Sequence, residues 1–550
     1  MARLQLSLIR KTKSSALFIL TTQLLVDNTV MKNNMNFGKL KSNALDLGVL
    51  VLFVILKLVL PFLLVNAAYS LHRDEFLHLD QANHLAWGFQ SVPPVTSIFA
   101  LIIKFLGGSE VAVRLVSACI GAATLVFSWK IVDALNGNLY AKVSLAIALI
   151  CSAIGRLDLL FQPNAFDILS WTAVYYFLIR FFNTKENKFL YFTGIALGLG
   201  FLNKYSILFL VAGLIPALLI SKQRQVFSNK NLYLATVLAL LIMLPNIIWQ
   251  YSHHFPVVGH MKELAATQLD KINRIDFLKE QLLYYFNVIF IVLGGIIALL
   301  FYKPFAAYRW IIFSFIISIF LFTWFRAKGY YAAGLYPVII AAGCTCFSYI
   351  FNNGWKKYLK ALIVVLPIIL FSLTMKFAYP VLSPQQIIAQ HGKFAKIGML
   401  RWEDGLQHDL PQDFADMQGW KELAALVDIA YGKVKDKSTV LVRADNYGQA
   451  GAINYYSKYK NINAVSYNAD YLYWFKMDKP IKDLIMITWW KDEDPQRKRE
   501  QPYFARITKI GEIKTPYARE KGAGVFLLEG AKPEVSSIIK SEIEEEKNDH

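Results

Sequence analysis

Eleven apolar stretches leave few architectures open to this chain. They fall at about 46–67, 111–133, 139–155, 166–182, 189–203, 205–220, 231–249, 283–301, 310–325, 331–351 and 361–379. Most run for about 16 to 22 residues, enough to cross a hydrocarbon core of roughly 30 Å at about 1.5 Å per residue. Backbone in lipid must satisfy its own hydrogen bonds, so these stretches are expected to be helices. With 55% hydrophobic and only 18% charged residues, and a mean hydropathy of +0.38, the chain is too apolar for an ordinary soluble enzyme of its size. Residues 95–106 are apolar but too short to span, which predicts a re-entrant or interfacial piece. The expected fold is therefore a polytopic α-helical membrane protein with about eleven transmembrane helices.

A net charge of +19 would suggest nucleic acid in a soluble protein. Here Lys and Arg gather in short loops between apolar runs, where they set topology and meet anionic headgroups. With a cytoplasmic N-terminus, the inner loops carry Lys185 and Lys188, then Lys222, Arg224 and Lys230, then Lys303 and Arg309, then Lys356, Lys357 and Lys360; Glu186 is the one carboxylate among them. That pattern places loops 68–110, 156–165, around 204, 250–282 and 326–330 outside. Four domains are expected: a basic cytoplasmic segment at 1–45, whose apolar patch at 16–25 is too short to span; a membrane domain at 46–380; an external α/β domain at 381–540; and an acidic, disordered tail at 541–550. In the external domain, short β-prone runs at 439–442, 484–490 and 524–528 alternate with helical stretches such as 420–431. Cys119, Cys151, Cys344 and Cys346 lie within apolar runs and read as small core residues rather than disulfides or metal ligands.

The candidate chemistry crowds the outer loops. Asp74 and Glu75 follow the first apolar run, and on a helix adjacent side chains diverge by about 100°. One can face a substrate while the other meets Arg73 or Arg114; the competing reading is a helix cap or solvated loop. Carboxylates held against a membrane are costly, which favours function. His78 lies four residues after Asp74 and His84 four after Asp80, so each can share a helical face with a carboxylate. A divalent metal ion would draw on Glu75, His78 and His253, with His72, His84, His254 and His260 as further candidates; a His hydrogen-bonded to a carboxylate is the alternative. Asp167 is either a macrodipole-favoured carboxylate near a helix start or part of a site, and Asp158 competes with it on the same loop. Lys204, between two apolar runs, suits a headgroup or a phosphate. Arg326, Lys328, Tyr330 and Tyr331 offer two cations and two phenols at another membrane edge, as an interfacial belt or a phosphate site.

Together these stretches resemble a known family. His72-Arg73-Asp74-Glu75 with Leu85-Ala86-Trp87-Gly88 and Pro93-Pro94, Asn164-Ala165-Phe166-Asp167, Asn203-Lys204-Tyr205-Ser206, Leu244-Pro245-Asn246 with Trp249-Gln250, Lys328-Gly329-Tyr330-Tyr331 with Tyr336-Pro337, and Asn446-Tyr447-Gly448-Gln449-Ala450-Gly451-Ala452 are similar to the bacterial branch of glycosyltransferase family 39. These are GT-C membrane enzymes related to protein O-mannosyltransferases and lipid A aminoarabinose transferases. The resemblance covers most of residues 46–475. It implies transfer of one sugar from a polyprenyl-phosphate donor, undecaprenyl phosphate in bacteria, to a lipid A, glycan or protein acceptor. It also implies a cytoplasmic (inner) membrane location with the site facing the periplasm. By analogy Asp74 is the general base, with inversion at the anomeric carbon; Asp167 supports it; and Lys204 and Lys328, with Arg326, Tyr330 and Tyr331 beside them, hold the donor phosphate. No nucleotide-binding loop is expected, and metal use stays open. Two other classes compete: a transporter or flippase for a lipid-linked saccharide, which the absence of an inverted repeat disfavours, and a non-catalytic membrane assembly protein.

Overall fold

The computed structural model describes residues 44–267, 273–489 and 491–549; most of the expected cytoplasmic segment lies outside the described residues. The chain divides into residues 1–51 and 52–550. Of the first unit the described part is 44–51, the opening turns of helix α1 (Ala44–Leu63). Everything that follows lies within 52–550.

All eleven apolar stretches are helical. Seven are long and apolar enough to cross a membrane: Ala44–Leu63, Glu110–Ala134, Pro163–Thr184, Lys230–Ser252, Lys303–Trp324, Gly329–Ile350 and Gly354–Ala378. Two more qualify as bent pairs, Ile207–Leu219 with Lys222–Ser228 at 106° and Arg274–Tyr284 with Phe286–Phe301 at 57°. Leu139–Ile150 and Lys188–Phe201 are apolar but shorter, at 12 and 14 residues. The 95–106 stretch forms a helix of 11 residues, Val95–Phe105, only about 16 Å long and short of a hydrocarbon core.

Burial separates central from peripheral helices. Gly329–Ile350 has 83% and Pro163–Thr184 72% of its apolar window buried, against 11% for Gly354–Ala378. The central pair carries Asp167 and Tyr330. Where Ile289–Phe301 crosses Tyr336–Ile350 the backbones touch: a Cβ on Gly295 would lie 2.1 Å from the Ile339 carbonyl oxygen, and one on Gly343 2.2 Å from that of Ile291. Such small-residue contacts replace the hydrophobic drive that lipid does not supply.

The C-terminal part is built on one five-stranded sheet. Its strands are β1 (Val440–Arg443), β2 (Ala464–Val465), β3 (Asp483–Ile487), β4 (Phe504–Glu512) and β5 (Gly524–Ala531), in the order β2-β1-β3-β5-β4. β1 pairs in parallel with β2 and β3, and β5 runs antiparallel to β3 and β4. Alternation sorts the side chains to two faces. Leu441, Leu484, Met486, Phe526 and Leu528 form one core with Val535, Ile539 and Ile543. Val442, Ile485, Ile487, Val525 and Leu527 form the other. The first core overturns the expected disordered tail, since residues Glu534–Asp549 are a helix. Its apolar residues at i, i+4 and i+8 bury against the sheet, while the acidic residues occupy the other faces.

The second core positions the site. It continues without a break into Leu71, Phe76 and Leu77 on one side and Phe161 and Ala165 on the other. Helix α2 (Arg73–Asp80) is thereby wedged among the membrane helices, the 158–162 loop and the sheet. That loop is also held from below: Lys57 Nζ of α1 lies 2.7 Å from Asp158 Oδ2, with both side chains buried. Burial pushes the Asp158 carboxyl up against the pull of Lys57. Removing the cation by Lys57→Met strands a buried carboxylate, a loss of up to about 3–5 kcal/mol. Because a raised carboxyl holds its proton more tightly folded than unfolded, the loss grows with pH. Thermal unfolding in detergent is expected to show a larger Tm drop at pH 8 than at pH 5, with most of it recovered in Lys57→Met/Asp158→Leu.

Candidate active site

Helix α2 starts in a reciprocal cap. His72 Nδ1 accepts the Asp74 N–H at 3.2 Å, and Glu75 Oε2 accepts the His72 N–H at 2.6 Å. The other Glu75 oxygen accepts the Phe161 N–H at 2.8 Å. Glu75 is only 2% exposed, and both its oxygens are held by backbone. Burial pushes its carboxyl up, against the pull of those two N–H groups. The roughly 100° step between neighbours on a helix sends Asp74 elsewhere, and its side chain is 40% exposed.

Asp74 stands at one end of a continuous hydrogen-bonded chain. Its Oδ2 accepts Gln162 Nε2 at 3.1 Å; Gln162 Oε1 accepts Asn164 Nδ2 at 2.9 Å; and Asn164 Oδ1 accepts Lys204 Nζ at 2.8 Å. The Lys204 ammonium sits 4.1 Å from the Tyr331 ring centroid and 5.2 Å from that of Tyr330. Helix α3 (Pro163–Thr184) supplies Asn164 and Asp167 from its first turns, with Pro at its N-terminus setting the start. Asp167 is buried; its Oδ1 accepts Trp171 Nε1 at 2.9 Å, and Ser206 Oγ lies 3.0 Å from both its oxygens. It stands within electrostatic reach of Lys204, as Lys328 does. The turn bearing Lys328 is pinned where Glu280 Oε2 accepts the Gly329 N–H at 3.0 Å. A Cβ there would lie 2.1 Å from that carboxylate oxygen, so a larger residue would push the Glu280 side chain off the turn.

Electrostatics divides the two ends. Burial raises the Asp74 carboxyl, but His72, the hydroxyl of Tyr447 (2.7 Å from Oδ1), Arg73 and His78 outweigh it and hold the group below its ordinary range. Lys204 is pushed down to about 8 by burial and by Lys328, with Asp167 pulling the other way.

Of the residues expected from sequence, Asp74, Asp167, Lys204, Lys328, Tyr330 and Tyr331 converge here. Arg326 lies two residues before Lys328 in a left-handed conformation (φ 53°). Glu75 holds backbone instead of facing the chain of polar groups. The metal candidates do not assemble: Glu75 is capped, His78 is buried 3.3 Å from Gln81 Oε1, and His253 stacks on Trp249. Among the described residues no group of three His, Cys, Asp or Glu could hold a metal ion. Sequence reasoning missed Gln162, Asn164 and Tyr447 as contacts of the charged groups. Asn164 and Tyr447 belong to the family-like stretches at 164–167 and 446–452, but nothing local marks them as partners.

Comparison with known proteins bears on the class of fold. The dolichyl-phosphate-mannose-protein mannosyltransferase family profile matches residues 91–249. A lipid A galacturonosyltransferase from Rhizobium johnstonii is 23% identical over 198 residues, covering 34% of this chain and 41% of the relative. The chain thus spans less than half the length of that relative. Among solved structures, ArnT from Cupriavidus metallidurans bound to undecaprenyl phosphate superposes with a TM-score of 0.60 at 12% identity, covering 87% of this chain and 98% of ArnT. Its apo form gives 0.57 at 11% identity, covering 87% and 97%. The chain is a multi-pass membrane protein of the GT-C glycosyltransferase fold, as its motifs led one to expect. Within that class it is similar in sequence to lipid-linked-sugar and lipid A glycosyltransferases and in fold to ArnT.

The division of labour between neighbours is measurable. Glu75→Gln places an amide NH₂ against a backbone donor in a buried cap and is expected to destabilise by about 1–3 kcal/mol. Asp74→Asn, at a partly exposed position where the Tyr447 hydroxyl and Gln162 amide can turn to meet an amide, is expected to lower the Tm in detergent by less than Glu75→Gln does.

Proposed function

We propose that this chain transfers one sugar from a polyprenyl-phosphate donor to an acceptor hydroxyl outside the cytoplasm, by a single inverting displacement. The observation that carries this reading is the unbroken Asp74–Gln162–Asn164–Lys204 chain, which links an ionised base to a caged cation. Asp74 takes the proton of the acceptor hydroxyl. The acceptor oxygen then bonds to the anomeric carbon from the face opposite the phosphate. The bond from that carbon to the phosphate oxygen breaks, and the charge left on polyprenyl phosphate is met by Lys204 and Lys328. Asp167 holds Lys204 charged and in place, while Tyr330 and Tyr331 wall its ammonium.

The neighbours support the substrates. ArnT is described with undecaprenyl phosphate bound, and the sequence relative modifies lipid A. We infer a similar donor here and an envelope lipid or glycan as acceptor. The positive-inside distribution supports an inner-membrane protein with this site on the periplasmic side.

Purified protein given a polyprenyl-phosphate sugar and candidate acceptors is expected to transfer sugar, with Asp74→Asn lowering the rate by about 10²–10⁴. Transfer unaffected by that change would remove Asp74 as base; lipid movement with no transfer would overturn the activity. The alkaline side reads the cation. Lys204 loses its proton as pH rises through about 8, so kcat/KM for the donor is expected to fall above that pH. The kcat limb should lie higher, because a bound phosphate stabilises the ammonium.

A further inference from the structure

The C-terminal sequence supplies a polar contact to Asp74 that the proposed chemistry has not used. Tyr447 opens helix α4 (Tyr447–Tyr456), and its hydroxyl donates to Asp74 Oδ1 at 2.7 Å. Gln162 donates to the other oxygen at 3.1 Å. One donor on each oxygen fixes the plane of the carboxylate and leaves its remaining lone pairs for a third partner.

Tyr447 is held from several sides. The Arg73 guanidinium lies 4.3 Å from its ring centroid. Two glycines let α4 lie against α2: a Cβ on Gly448 would sit 2.5 Å from Arg73 Cγ, and one on Gly451 2.6 Å from Phe76 Cβ. Asn446 caps α4 by accepting the Gly448 and Gln449 N–H groups at 3.0 and 3.1 Å. Glu520 locks that cap, one oxygen accepting Asn446 Nδ2 at 3.2 Å and the other Gln449 Nε2 at 2.8 Å. The tyrosine is therefore a fixed part of the scaffold.

We propose that Tyr447 is a positioning residue for the base, so that the C-terminal sheet region completes the catalytic centre and is more than an acceptor-facing appendage. This rests on Asp74 being the base. The titratable and charged groups facing Asp74 are His72, Arg73 and His78 on or beside its own helix, Tyr447 from α4, Tyr330 from the turn beside Lys204, and Asp416 from the segment before the sheet. Among them the Tyr447 hydroxyl, by its hydrogen bond, and the Arg73 guanidinium, by its charge, favour the ionised carboxylate.

Tyr447→Phe removes the donor and keeps the ring under Arg73. Sugar transfer should show kcat about tenfold lower and donor KM unchanged. The acidic limb of the pH profile should move up by about one pH unit, because the lost hydrogen bond favoured the charged form. Gln162→Leu removes the donor to the other oxygen and should move the limb the same way, which keeps the idea testable should the tyrosine variant not fold. A folded Tyr447→Phe with reduced rate and an unmoved limb would make the contact merely structural and overturn the inference, as would wild-type kinetics. Asp74→Asn run in parallel separates the two readings: if it retains full transfer, the base assignment fails first; if it is inactive while the Tyr447→Phe limb stays put, only the positioning role fails.

Discussion

One buried carboxylate joins the pieces on which the site depends. Glu75 accepts one N–H from the residue capping its own helix and another from Phe161, 86 positions away. An unmet buried backbone donor in that position would cost more than the net worth of the hydrogen bond it replaces, so the two segments are fastened together. The neighbours of those fastened residues then carry the polar groups: Asp74 beside Glu75, and Gln162 beside Phe161. The line of donors and acceptors to Lys204 follows from that single junction.

Much of this was legible from residue types and spacing. Apolar runs gave helices at all eleven expected positions, because lipid leaves the backbone no other partner. Charged side chains at the helix ends marked Asp74, Asp167, Lys204 and the Lys328 turn. What resisted reading was assignment between adjacent carboxylates and between distant amides. Asp74 and Glu75 are chemically similar, and only the cap geometry decides which one is spent on backbone. Gln162, at the N-cap of α3, and Asn164, in its first turn, are ordinary amides until the fold sets them in line.

The C-terminal region shows the same limit. Three of its strands, β1, β3 and β5, and the helix at Trp420–Lys433 follow from local pattern, whereas the two-residue β2 and the half-exposed β4 do not; the final acidic run reads as unstructured because charge outweighs a sparse apolar stripe. Val535, Ile539 and Ile543 need a sheet face to bury against, and a sheet assembled from strands spread between residues 440 and 531 leaves no local trace. Membrane and sheet regions share one apolar core through Phe76 and Ala165.

The contact between Tyr447 and Asp74 spans 373 residues, and this has a consequence for biosynthesis. At common rates of chain elongation, roughly 20–75 s separate the synthesis of the carboxylate from that of the hydroxyl that meets it. During that interval the membrane helices can insert and pack, yet the carboxylate sits in an open, unfinished setting. The glycines of α4 allow the late segment to settle flat against α2, so the carboxylate meets its tyrosine only after the C-terminal region has been made.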